Sequence, residues 1–151
     1  MLLFLPSMRS RPPKRAMRHH AGYRAALTEA GHILADGNVR LTGHGLAPTC
    51  AAAKELLSTP DRPSAVFAAD DTLAAGTLRA AHDLGLAVPG DLAVVGFDDS
   101  ELAEALDLTT VRQPLEESGR AAMELLMQRL DRPGTVREVA LRLQLIPRGT
   151  S

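Results

Sequence analysis

The chain lacks most of the side chains on which catalysis and metal binding usually rest. Its 151 residues include one cysteine, Cys50, no tryptophan, one tyrosine and three phenylalanines. A single thiol cannot close an internal disulfide and no Cys/His spacing suits zinc, so a reducing, cytoplasmic setting is expected, without a metal or other cofactor. Lys14 and Lys54 are the only lysines, and neither follows an apolar strand, where a phosphate-gripping lysine belongs. Gly90, Gly96 and Gly134 make no phosphate loop, while Ser100, Ser118 and the five histidines sit in no G-x-S-x-G pattern. No apolar run approaches the roughly 20 residues of a membrane-spanning helix, because Pro, Gly or charge interrupts each one. The opening MLLFLP has too short an apolar run for an export signal, and its basic residues follow that run instead of preceding it.

What is present is a chain 45% hydrophobic, enough for one domain with a real core. The net charge of −1 hides an asymmetry: Arg9, Arg11, Lys14, Arg15, Arg18 and Arg24 all precede the first acid, Glu29. Without interleaved aromatics or a reading helix, that basic arm reads as a solvated loop and not as a nucleic-acid contact. Residues 1–17 are therefore expected to be a basic leader or a degenerate first strand, and residues 18–151 a single domain.

Periodicity and punctuation alternate along the chain. HHAGYRAALTEAG reads as a helix closed by Gly31, Val39 to Leu41 as a weak strand, and PTCAAAKELLST as a helix closed by Pro60. SAVFAA, DTLAAGTLRAAHDLG and LAVVGF then give strand, helix and strand. Strands that are continuously apolar belong to a parallel sheet covered on both faces, so the expected fold class is α/β with three layers. Beyond it, LDLTTVRQP predicts a short strand, LEESGRAAMELLMQRL an amphipathic helix, and VREVALRLQLIP an alternating strand with Val139, Leu141, Leu143 and Leu145 on one face.

Two segments echo each other, AVFAADDTLA at 65–74 and AVVGFDDSEL at 93–102. Each runs an apolar strand into paired aspartates. In open parallel sheets ligands bind beyond the carboxyl ends of the strands. Carboxylates there suit hydrogen bonds from vicinal sugar hydroxyls and suit magnesium equally well. Asp71 and Asp99, each closest to a following helix, are expected as helix caps. Asp70 and Asp98 remain as ligand candidates.

The stretch from Arg62 to Pro114, with AVFAADD, GLAVPGDLAVVGFDD and LTTVRQP, resembles the effector-binding domain of the lactose/galactose repressor (LacI/GalR) family of bacterial transcription regulators. GYRAAL at 22–27 resembles that family's first helix of the carboxy-terminal lobe, and LQLIPRGTS its last strand. The likeness thus covers nearly everything from about residue 18. It implies a periplasmic-binding-protein-like sensor lobe with crossover elements at about 108–135, closing on a sugar or nucleobase effector and forming homodimers. It also implies that operator DNA is held only through a separate helix-turn-helix domain, which nothing before residue 18 resembles; the chain is expected to be the carboxy-terminal half of such a regulator.

By the same resemblance, Asp98 falls where the family has an effector-binding Asp, and Asp70 where it commonly has an Asn, which removes the amide donors. His19 stands in place of a ligand-gripping Arg and His44 near an aromatic platform, both departures from the family's pattern. Without its partner lobe, the helix from Leu115 to Leu130 is expected to expose an apolar stripe of Leu115, Ala122, Leu125, Leu126 and Leu130. A non-catalytic sensor accounts for both Asp-Asp units. A magnesium-dependent phosphoryl-transfer enzyme lacks its lysine, and an exported sugar-binding protein lacks its signal segment.

Overall fold

The computed structural model describes residues 2–6, 14–34, 36–43, 45–132, 134 and 137–151. Four parallel strands, β1 (Leu2–Pro6), β2 (Val39–Thr42), β3 (Ala65–Ala68) and β4 (Ala93–Val95), form a sheet in the order β2-β1-β3-β4. Leu2–Pro6 is thus a central strand, with β2 on one side and β3 on the other. The connections are α1 (Lys14–Glu29), α2 (Leu46–Leu57) and α3 (Asp71–Asp83), so the first helix begins before the stretch that the sequence marks out. Gly31 ends it as expected: at φ +79° it lets the His32 N–H turn back to the Leu27 carbonyl, 2.8 Å away.

Chain order makes β1 the point where the sheet reverses direction, and right-handed crossovers then place α1 on one face and α2 and α3 on the other. Successive side chains of β3 show both faces. Phe67 stacks on Tyr23 of α1 with centroids 5.7 Å apart, whereas Val66 and Ala68 are buried with Ala53, Leu57, Leu73 and Ala74 of α2 and α3. This is the expected three-layer α/β architecture. The two helices of the thicker face approach closely at Gly76, where a Cβ would lie 2.7 Å from Cβ of Thr49. Lys54 of α2 also reaches Asp83 of α3 at 2.6 Å, and that hydrogen bond, with Arg79 beside it, holds the Asp83 carboxyl well below the usual carboxylate range.

After β4 come a short helix α4 (Glu101–Ala105), strand β5 (Thr110–Arg112), helix α5 (Leu115–Asp131) and strand β6 (Gln144–Ile146). β5 lies alongside the end of β4, joined to it by two isolated parallel bridges in which Gly96 and Asp98 donate backbone hydrogen bonds to the carbonyls of Thr109 and Val111, each at 2.9 Å. β6 pairs antiparallel with β5. The alternating strand expected around Val139 to Leu145 is only three residues long: Val139, Leu143 and Leu145 are exposed, and the pattern meets no second layer that would extend it. No residue of α5 is buried. Leu115, Leu126 and Leu130 are 68%, 51% and 67% exposed, so the expected apolar stripe is open on this helix.

The carboxyl end is pinned instead by polar contacts. Thr150 donates from its hydroxyl to the Val94 carbonyl at 2.7 Å and accepts the Thr109 N–H at 2.9 Å. The Val94 N–H in turn donates to the Thr150 carbonyl at 2.8 Å. One buried hydroxyl thereby ties the last residues to both β4 and the segment entering β5.

Candidate functional site

Phe67 and Val95 are paired in the β3–β4 register, and three residues on from each lie Asp70 and Asp98. The two Asp-Asp units therefore leave adjacent parallel strands side by side, at the carboxyl ends, with strands about 4.8 Å apart. The echo in the sequence thus marks two neighbouring strand ends, although the backbone leaves them differently: Asp70 is extended, whereas Asp98 and Asp99 have positive φ. β1, where the sheet reverses, ends beside β3 at the same level.

The capping roles differ from the expectation at both units. Asp70, not Asp71, caps α3: its backbone is extended (φ −155°, ψ 167°) and its Oδ1 accepts the Leu73 N–H at 2.8 Å. Asp71 is already the first helical residue and is only 2% exposed. Its carboxylate points across the sheet, where Oδ2 accepts the Ser100 N–H and the Ser100 hydroxyl, each at 2.8 Å, and Oδ1 accepts the Thr110 hydroxyl at 2.6 Å. Gly96 makes room for it, because a Cβ there would lie 2.5 Å from Asp71 Oδ1. Asp71 thus stitches the start of α3 to the cap of α4 and to β5.

Asp99 caps nothing either. α4 has Ser100 at its cap position, with no side-chain cap bond. The Asp99 carboxylate instead lies between two guanidiniums, Arg112 Nε at 2.5 Å and Arg148 Nη2 at 2.7 Å. Burial pulls this carboxyl upward, but the hydrogen bonds and charges of Arg148 and Arg112 outweigh it and keep it below the usual range. Asp98 next to it has φ +120° and Asp99 φ +56°, two consecutive non-glycine residues in a region that favours glycine. Gln113 Nε2 donates to Asp98 Oδ1.

His19, half-buried on α1, packs against Phe97 with ring centroids 4.4 Å apart and approaches Phe67 at 6.3 Å. Phe97 immediately precedes Asp98, so His19, Asp70 and Asp98 converge on one end of the sheet. Arg18 is exposed. His44 lies outside the described residues. Gln113, Arg112 and Arg148 are the polar neighbours that residue-by-residue reasoning missed. All three stand inside quoted motifs, LTTVRQP and LQLIPRGTS, but their partners in the turn at Asp98 and Asp99 lie 15, 13 and 49 residues away.

A profile of the periplasmic-binding-protein-like domain family matches residues 2–151. The chain belongs to this family, in its LacI-type branch. The likeness therefore runs from residue 2 and includes β1, earlier than the sequence motifs suggest. The ribose operon repressor of Escherichia coli is 40% identical over 128 residues, covering 83% of this chain and 38% of that protein. A LacI-family transcriptional regulator from Sanguibacter keddieii superposes with a TM-score of 0.82 at 34% identity, over 99% of this chain and 57% of the other. The transcriptional regulator CelR, solved as a cellobiose complex, superposes equally well, with a TM-score of 0.82 at 33% identity, over 98% of this LacI-type chain and 46% of CelR. The chain thus spans about two fifths of the repressor it matches and about half of these solved regulators. The relatives named here are transcription regulators, not enzymes.

A groove among the described residues lies elsewhere. It encloses about 820 Å³ between α5 and the chain that follows it, with Leu125, Leu126, Arg129, Arg132 and Arg137 in its walls. Among the described residues, no three His, Cys, Asp or Glu side chains come together as a metal site. No described helix is long and apolar enough to cross a membrane.

Proposed function

We propose that this domain supplies one wall of the effector crevice of a LacI-type transcriptional regulator, and that the effector is a sugar-like, polyhydroxylated small molecule. Asp70 and Asp98 accept its hydroxyl hydrogens, and His19 on Phe97, with His44, offers ring faces to it. The observation that carries this reading is the registered placement of Asp70 and Asp98 at the carboxyl ends of adjacent strands, beside the strand where the sheet reverses. Two carboxylates with only acceptor capacity suit hydroxyl donors. Relatives named for ribose and solved with cellobiose support the sugar class. The domain works by binding, without catalysis, in the cytoplasm and as a homodimer, and contact with operator DNA belongs to a separate helix-turn-helix domain.

The test is a thermal-shift comparison of the chain with D-ribose, with cellobiose and with magnesium, repeated on Asp98→Ala. Ligand at 100 times its dissociation constant stabilises by about 2.7 kcal/mol, roughly 5–10 °C for a domain of this size. A sugar should give that shift in the native chain and lose it in the variant. A shift from magnesium alone, or from neither sugar, would overturn the proposal.

A further inference from the structure

We infer that Asp99 is a positioning residue for Asp98: it is the joint through which strand β5 and the carboxyl-terminal segment set the pose of the effector-binding carboxylate. The ligand side of this inference rests on the reading proposed above; the structural side does not.

Two successive aspartates at φ +120° and +56° do not hold that shape on their own chain's preference. Something outside must hold it, and two segments, β5 with Gln113 and the carboxyl-terminal segment, supply the contacts that follow. The Asp98 N–H donates to the Val111 carbonyl at 2.9 Å and the Asp99 N–H to the Thr110 hydroxyl at 3.4 Å. Gln113 donates to Asp98, Arg112 to Oδ2 of Asp99, and Arg148 to Oδ1 of Asp99. Each oxygen of Asp99 is taken by a different guanidinium, so the carboxylate cannot rotate without breaking a charge-assisted bond.

The two arginines are not equivalent. Arg148 has a side chain 17% exposed and is itself fixed, its Nη1 donating to the Leu108 carbonyl at 2.8 Å and its N–H to the Thr109 hydroxyl at 2.9 Å. Arg112 is 51% exposed and belongs to β5. Arg148 is therefore the anchor and Arg112 the trimming contact. Because β5 and β6 pair with each other, a shift of this ribbon moves both arginines, and Asp98 moves with them. In the other direction, a ligand that fixes Asp98 steadies the ribbon.

The test uses the full 151-residue chain and its Asp99→Asn variant, which keeps the shape but removes the charge and turns an amide towards an arginine. Hydrogen exchange resolved by residue is measured without ligand, and D-ribose affinity by calorimetry. The Asp98 amide should exchange about tenfold faster in the variant while Val66 and Ala80 keep their protection, and ribose should bind about tenfold more weakly. Arg148→Lys, which keeps the charge and loses the fork, should fall between the two. Asp98 exchange within twofold of the native chain, or equal loss of protection at Val66 and Ala80, would overturn the inference. If Asp99→Asn fails to fold, Arg112→Gln decides by the same readout, with about a threefold effect at Asp98 expected and none overturning it. A native chain that binds neither ribose nor cellobiose would sink the sugar reading and leave the exchange result to judge the positioning role.

Discussion

Asp71 and Asp70 make a paired test of how this lobe is held together. Truncating Asp71 to alanine leaves the Ser100 N–H without its acceptor and frees the Ser100 and Thr110 hydroxyls inside a site that is 2% exposed. An orphaned buried donor costs roughly 1–3 kcal/mol, and hydrogen bonds to a charged acceptor lie at the upper end. The hydroxyls can rotate towards other acceptors, so the three losses do not add fully. About 3–5 kcal/mol is expected, a large part of the roughly 5–15 kcal/mol that holds a domain folded. Asp70→Ala removes one cap bond and should cost about 1 kcal/mol. Urea unfolding at neutral pH should be followed by far-ultraviolet circular dichroism, since the chain has no tryptophan and one tyrosine. A cost for Asp71→Ala no larger than that for Asp70→Ala would refute the assignment of Asp71 as the stitch between α3, the cap of α4 and β5.

Gly96→Ala should destabilise by roughly 1–3 kcal/mol, because its Cβ would press on Asp71 and on Leu108 at 2.9 Å, whereas Gly22→Ala on α1, which meets nothing, should be neutral or stabilising. Urea midpoints compare the two. Burial pushes the Tyr23 phenol up to about 12, so its protonated form is the one folding favours. That contribution is complete below the unfolded value of about 10 and is lost as pH rises through about 12. As Tyr23 is the only tyrosine, tyrosinate absorbance reports it directly, and a midpoint near 10 would contradict its burial against Phe67. Leu126→Glu on the open stripe of α5 should change stability by less than about 0.5 kcal/mol yet reduce self-association in sedimentation experiments. A native chain that stays monomeric at all concentrations would remove that stripe as an association surface.

The sheet was legible because continuous apolar runs between helix-like segments leave few arrangements, and AVFAADD and AVVGFDD mark strand ends that the register places side by side. Which aspartate caps which helix was not legible. A cap depends on the φ and ψ of one residue, and both members of a pair precede the helix; here the extended backbone falls on Asp70. The deeper reason is that the Asp71 and Asp99 carboxylates answer to partners 13 to 49 residues away, which no local pattern displays. The alternation at Val139 to Leu145 misled for the opposite reason. It is a true period-two pattern, but a strand forms only where another strand or layer receives it, and just Gln144–Ile146 meets β5. His19 was placed by resemblance alone, and only the structure brings it, through Phe97, to the turn that carries Asp98.

In the proposed function the effector sits at the strand ends and not in the groove beside α5. Titrating the isotopically labelled chain with D-ribose or cellobiose and following its backbone amide resonances tests this directly. Perturbations clustered around His19, Asp70, Asp98 and Gln113 are the predicted result. Perturbations confined to Leu125, Arg129 and Arg137 would contradict it.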